Sequence, residues 1–180
     1  MTQGKGVSAK LPSRDECLQL LRECGCGDDV IAHCEAVSAL AVKMAKRCGA
    51  DVQLVEIGGL LHDVGRCRAH SIAHAVEGAK IVAEKKFPQR LVRIIERHIG
   101  GGITKEEAKR LGLPEKDYIP ETLEEKIVAH SDNLFSGTER TPINEAIGYL
   151  VRQNPEAAER VLELHKNLST MCGVDIDQIQ

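Results

Sequence analysis

The sequence predicts an all-α fold, one domain of seven to nine helices, and three observations carry that prediction. Apolar residues recur at three- and four-residue spacing, as in Ile31, Val37, Leu40, Ala41 and Met44. The stretches open on helix-start signals: the capping boxes Ser13-x-x-Glu16 and Thr104-x-x-Glu107, Asp51, Pro88 and Pro155. Glycines close most of them, and no segment shows the alternation of a strand, an internal repeat or low complexity. With 180 residues, 42% of them hydrophobic, the chain can bury the core of one domain.

In chain order, residues 1–11 form a flexible tail and Ser13 opens a short helix that closes near Gly25. Asp28 or Asp29 starts the next, which sets His33 on the same side as Val37 and ends at Gly49. Asp51 caps a third helix with Leu54, Ile57, Gly58 and Leu61 on its inner face. Its Gly58-Gly59 pair weakens the helix and signals close approach of a neighbouring backbone. A loop over 64–71 follows, then helices over about 72–86 and from Pro88 to His98, the second stopped by Gly100-Gly101-Gly102. A short charged helix (TKEEAKR, 104–110) ends at Gly112, and residues 113–121 are a Pro-bounded loop. A helix from about Thr122 to Phe135 stops at Gly137, and Thr141-Pro142 and Pro155 open the last two, over 142–172.

Composition narrows the function. A net charge of -3 gives no general attraction to nucleic acid or acidic membranes, and 2% aromatic content leaves little to stack exposed bases. No apolar run approaches the length of a membrane span, and the start MTQGKGVSAK lacks the apolar core of a signal peptide. The expected location is therefore cytoplasmic. The seven cysteines form no C-x-x-C pair and read as reduced, small apolar fillers.

Five predicted helices place candidate ligands near a core-facing edge: His33, the His62-Asp63 pair, His74, His98 and Asp132. Neighbours on a helix point about 100° apart. His62 and Asp63 therefore share one ion only if it sits off the helix end, where unpaired carbonyls favour a cation. Singly, each residue has a structural explanation. His33 suits a satisfied core histidine, and a metal or an arginine would offset the charge of Asp132 on its buried face.

The order H…HD…H…H…D, carried by helices, resembles the HD-domain superfamily of metal-dependent phosphohydrolases. His62-Asp63-Val64-Gly65-Arg66 matches the H-D-[IV]-G-[KR] form of its signature. His74-x-x-x-Gly78-Ala79, Ile95-x-x-His98 and Ala129-x-x-Asp132-Asn133 follow at the family's usual separations, and the resemblance covers roughly residues 28–136.

The resemblance implies one HD domain over 1–180, with a metal-binding core at 28–136 and C-terminal helices at 142–172. It implies that His33, His62, Asp63 and Asp132 hold one ion and that His74 and His98 hold a second, with Asp63 bridging. The match at both positions favours two divalent ions over one. Ile99 stands where some two-metal relatives double the histidine, which argues against the cyclic-di-GMP-specific branch. Four histidines with two carboxylates favour iron, manganese, zinc, cobalt or nickel over magnesium. Such ions would activate a water and stabilise the phosphoryl oxygens.

Asp63, Arg66 and His70 are the catalytic candidates: the bridge, a phosphate contact and a proton donor to the leaving group. Arg66 and His70 equally suit solvated loop positions. Arg68, Glu77, Arg97 and Lys126 suit solvated faces as well as phosphate or water contacts, and His130 points away from Asp132 on a regular helix. The helix at 104–110 is expected to flank the site mouth, with Gly100–Gly102 as either a hinge or a plain chain reversal and substrate choice lodged in residues 100–122. The implied activity is hydrolysis of a phosphate ester or anhydride bond in a small phosphorylated substrate, a nucleotide. Neither nucleic acid nor membrane is an expected partner. Two rivals are a di-iron oxygenase of HD-like fold, marked by an iron and oxygen requirement, and a non-catalytic nucleotide-binding HD domain.

Overall fold

A computed structural model describes residues 10–179. Its helices are α1 (Arg14–Glu23), α2 (Asp28–Cys48), α3 (Val52–Leu61), α4 (His74–Glu84) and α5 (Gln89–Glu96), then α6 (Lys105–Arg110), α7 (Leu123–Asn133), α8 (Ile143–Ala146), α9 (Gly148–Gln153) and α10 (Pro155–Cys172). Ile147 alone separates α8 from α9; counted as one helix, they bring the total among the described residues to nine. Short 3-10 turns cover Val64–Cys67 and Ile176–Gln178. The departure from an all-helical reading is a two-residue antiparallel hairpin, β1 (Phe135–Ser136) with β2 (Glu139–Arg140). Strands this short carry no readable period.

Local signals explain the helix ends. Both capping boxes form: Ser13 and Thr104 accept from the amides of Glu16 and Glu107, whose carboxylates take the cap amides in return. Asp51 accepts from the amide of Leu54 at 3.0 Å.

Helix α3 is the axis of the fold, packed against α1, α2, α5 and α7. Leu54, Val55, Ile57, Leu60 and Leu61 are all buried, so each face of this helix finds a neighbour. A Cβ at Gly59 would stand 2.7 Å from the Ser38 Cα, so the glycine pair does mark a backbone contact, that of α2 against α3. The main core continues through α4, α7 and α10, while Val76, Ile103, Ala108, Leu113 and Tyr118 form a smaller cluster beneath α6.

Three further differences from the sequence reading are physical. Of the expected tail, residues 1–9 lie outside the described residues, but Leu11 is buried in the core. Gly101 and Gly102 do not form an open hinge: added Cβ atoms would meet Arg160 and Ile119 at under 3 Å, so the segment is pinned. Cys48 and Cys172, the last residues of α2 and α10, form a disulfide, leaving Cys17, Cys24, Cys26, Cys34 and Cys67 free. Among the described residues, no helix is long and apolar enough to cross a membrane.

Candidate metal centre

The centre is assembled where α3 ends. Leu61 is the last helical residue, His62 keeps helical angles as the cap, and Asp63 turns away at φ -98° and ψ 10°. The backbone thus rotates two adjacent side chains toward one space beyond the helix. The following 3-10 turn packs onto α4, because a Cβ at Gly65 would run into the His74 carbonyl and the Gly78 amide. That approach places His74, the first residue of α4, with Nε2 2.9 Å from Asp63 Oδ1.

Two groups of atoms result, one on each side of the Asp63 carboxylate. On the first side, His33 Nε2 lies 3.0 Å from Asp132 Oδ1 and 3.2 Å from His62 Nε2. His62 Nε2 is 3.4 Å from Asp132 Oδ1, and Asp63 Oδ2 stands 3.7 and 3.8 Å from His62 and His33. On the second side, His74 and His98 bring their Nε2 atoms to 3.0 Å from each other and to 2.9 and 3.6 Å from Asp63 Oδ1.

The imidazole tautomers define what these atoms can do. The Nδ1 atoms of His62, His74 and His98 reach the carbonyls of Gly59, Ser71 and Ile95, each three residues earlier, at 2.7–2.8 Å. His33 Nδ1 reaches the Gly137 carbonyl at 2.7 Å. A carbonyl only accepts, so all four rings carry a proton on Nδ1 and turn Nε2 inward, as a lone pair wherever the ring is neutral. The Nε2 atoms then face one another and face carboxylate oxygens, an arrangement that a shared proton or a metal ion between them would satisfy. An ion with bonds of about 2.1 Å spaces neighbouring ligand atoms roughly 3.0–3.4 Å apart. The His33, His62 and Asp132 atoms have that spacing, so these residues fit a metal. Carbonyl-anchored histidines are the usual second layer of such sites.

Burial raises the cost of ionising Asp63 and Asp132, yet the facing histidines outweigh it and hold both carboxyls well below the ordinary range. Burial likewise works against a charged His62, but Asp63 and Asp132 raise its pKa, and Asp132 does the same for His33. His98, wholly buried, is pushed down.

A cavity of about 790 Å³ opens onto one edge of this cluster. His33 and Asp132, with side chains 13% and 22% exposed, reach it, whereas His62 and His98 are at 0%. Arg66 and His70 line it as well; Arg66 also pairs its Nε with Asp63 Oδ2. Three of the other charged candidates are engaged elsewhere. Arg68 bonds Glu84, Glu77 holds Lys80, and Arg97 is tied to Glu121 and Glu125. His130 is buried and bonds His165 at 2.9 Å, and His165 in turn meets Asp175 at 3.1 Å.

None of the cavity's lining residues comes from 100–122, and α6 covers the smaller cluster instead of the mouth. The walls are the α1–α2 loop at Gly25–Gly27, Asp29, Asn133, and Phe135 with Gly137 of the hairpin. Sequence reasoning missed these residues. The local signals were the glycines that bound each turn and the place of Asn133 beside Asp132.

The fold and the ligand order define a class, the HD domain, and the HD domain family profile matches residues 30–136. The chain belongs to that family. A tRNA (cytidine(56)-2'-O)-methyltransferase of Thermoplasma volcanium is 47% identical over 178 residues, covering 98% of this chain and 52% of that protein. The chain thus spans about half the length of such relatives. An uncharacterised protein of Methanocaldococcus jannaschii is 48% identical over 154 residues, covering 81% of this chain and 91% of its own length. Among solved structures, the HD domain of the L. monocytogenes phosphodiesterase PgpH, in complex with cyclic-di-AMP, shares the fold. Its TM-score is 0.55 at 21% identity, over 88% of this chain and 96% of that one.

Proposed function

We propose that this chain is a metal-dependent phosphohydrolase that cleaves a phosphate ester or anhydride bond of a nucleotide. It would use two divalent transition-metal ions, of iron, manganese, zinc, cobalt or nickel. The observation that carries this reading is the Asp63 carboxylate, whose two oxygens face two separate sets of inward-turned Nε2 atoms. In this reading His33, His62, Asp63 and Asp132 would hold one ion, and His74 and His98, together with Asp63, would hold the other. Bound ions supply Lewis-acid activation of water and neutralise charge on the phosphoryl oxygens. The protein's own residues do the rest. The carbonyl anchors fix the histidine rings, Arg66 steadies Asp63 from the cavity side, and the exposed His70 stands where it can pass a proton to a departing oxygen. The phosphodiesterase neighbour with bound cyclic-di-AMP supports a nucleotide as the substrate class.

The test is metal content together with turnover. Protein loaded with manganese or iron should retain two ions per chain, and His98→Ala should retain one, with hydrolysis of nucleotide substrates greatly reduced. A wild-type chain that takes up no metal after loading would overturn the reading.

The methyltransferase name of the Thermoplasma relative favours a second reading, in which the nucleotide is part of an RNA. A gel shift with unmodified tRNA, set against mononucleotides in the same turnover assay, separates the two.

A further inference from the structure

The six candidate ligands are not equally open to solvent, and the difference gives the substrate a direction of approach. The His74 and His98 side is closed, with side chains 6% and 0% exposed, so a phosphate can meet the cluster only along the His33 and Asp132 edge. What lies along that edge is larger than a phosphate needs. The cavity's 790 Å³ falls within the range of sites that enclose a whole small molecule.

Its walls differ in chemistry. Arg66 and His70 stand on the side of the 3-10 turn, and Arg66 is already paired with Asp63. The hairpin side presents Phe135, the one phenylalanine, tyrosine or tryptophan among the lining residues, in a chain that has only four. Phe135 is half-buried, part of it packed on the core and part facing the cavity. Its position is fixed from both ends. The Leu134 carbonyl accepts from the Thr141 amide at 2.9 Å, and the Gly137 carbonyl takes the Nδ1 proton of His33. A metal-ligand candidate is therefore hydrogen-bonded to the hairpin turn. The α1–α2 loop, also on the cavity wall, is Gly25-Cys26-Gly27, and a Cβ at Gly25 would meet only open space. Asp29 and Asn133 add polar groups suited to the edge of a ring.

We infer that Phe135 is the nucleobase-binding residue of this cleft: the base stacks on its ring while the phosphate reaches the His33 and Asp132 edge. The inference rests on the phosphohydrolase reading for the phosphate end alone. Stacking on an aromatic side chain is sequence-tolerant and strengthens binding by roughly five- to a hundredfold per base.

The test compares two probes that differ only by the base, AMP and ribose 5-phosphate, by calorimetry on the manganese-loaded full chain. The wild type should bind AMP about tenfold more tightly than ribose 5-phosphate. Phe135→Leu keeps apolar bulk but removes the ring, and should bring the two probes to within about threefold; Phe135→Trp should retain the preference. Circular dichroism confirms that each variant is folded. Equal binding of both probes by the wild type, a preference that survives Phe135→Leu, or no binding of AMP at all would each overturn the inference. A base preference without hydrolysis of any nucleotide would instead overturn the phosphohydrolase reading and leave the base site standing.

Discussion

A carboxylate with 3% of its side chain exposed is costly unless partners hold its charge, and Asp63 has four histidines and an arginine around it. Glu107 shows the same physics without any metal. It is 5% exposed and accepts from Arg160 at 2.7 and 2.8 Å, from the Thr104 amide at 2.8 Å and from Asn154 at 3.0 Å. Burial raises its pKa, but these donors outweigh burial and bring it down to about 2. A depressed carboxyl contributes stability above its unfolded value near 4.5, and that contribution is lost as pH falls toward 2. Glu107→Gln should therefore cost roughly 2–3 kcal/mol at pH 7, and the gap from wild type should narrow in urea unfolding at pH 3. A gap that does not change with pH would contradict the assignment. At this scale the sequence was legible where chemistry is rare: a histidine on an apolar face stands out. Phe135 was not, because a phenylalanine at a helix end reads as ordinary core.

Helices were legible as elements because their caps are local, spanning three or four residues. What joins them was less so. Gly65 is the contact that lets the 3-10 turn meet α4, and its lack of a side chain is what places His74 beside Asp63. Gly65→Ala should push α4 outward and cost about 1–3 kcal/mol. On the two-ion reading it should also lower the metal content by one ion per chain, measured alongside a thermal melt. Unchanged metal content with an unchanged melt would show that the turn yields more easily than its packing implies. The hairpin and the pinned Gly100–Gly102 segment escaped prediction for related reasons. Two-residue strands have no period, and a glycine run looks the same whether it bends freely or is wedged against Arg160 and Ile119.

For the whole molecule, the covalent cross-link among the described residues is the disulfide between Cys48 and Cys172, 124 residues apart. Nothing in the spacing of seven cysteines selects that pair, because the choice depends on where α2 and α10 end relative to each other. Thiol titration of the denatured chain should find five groups before reduction and seven after, from five free cysteines and the two in the bridge. Reduction should lower stability by about 2–4 kcal/mol, seen as a lower melting temperature; seven thiols without reductant would show the bridge absent in solution. Only position had to come from such distant contacts. Three histidine rings take their orientation from a carbonyl three residues back, so the direction of each lone pair is written in a four-residue phrase. The tertiary fold therefore has little left to teach those rings. It need only bring these oriented rings within reach of one another.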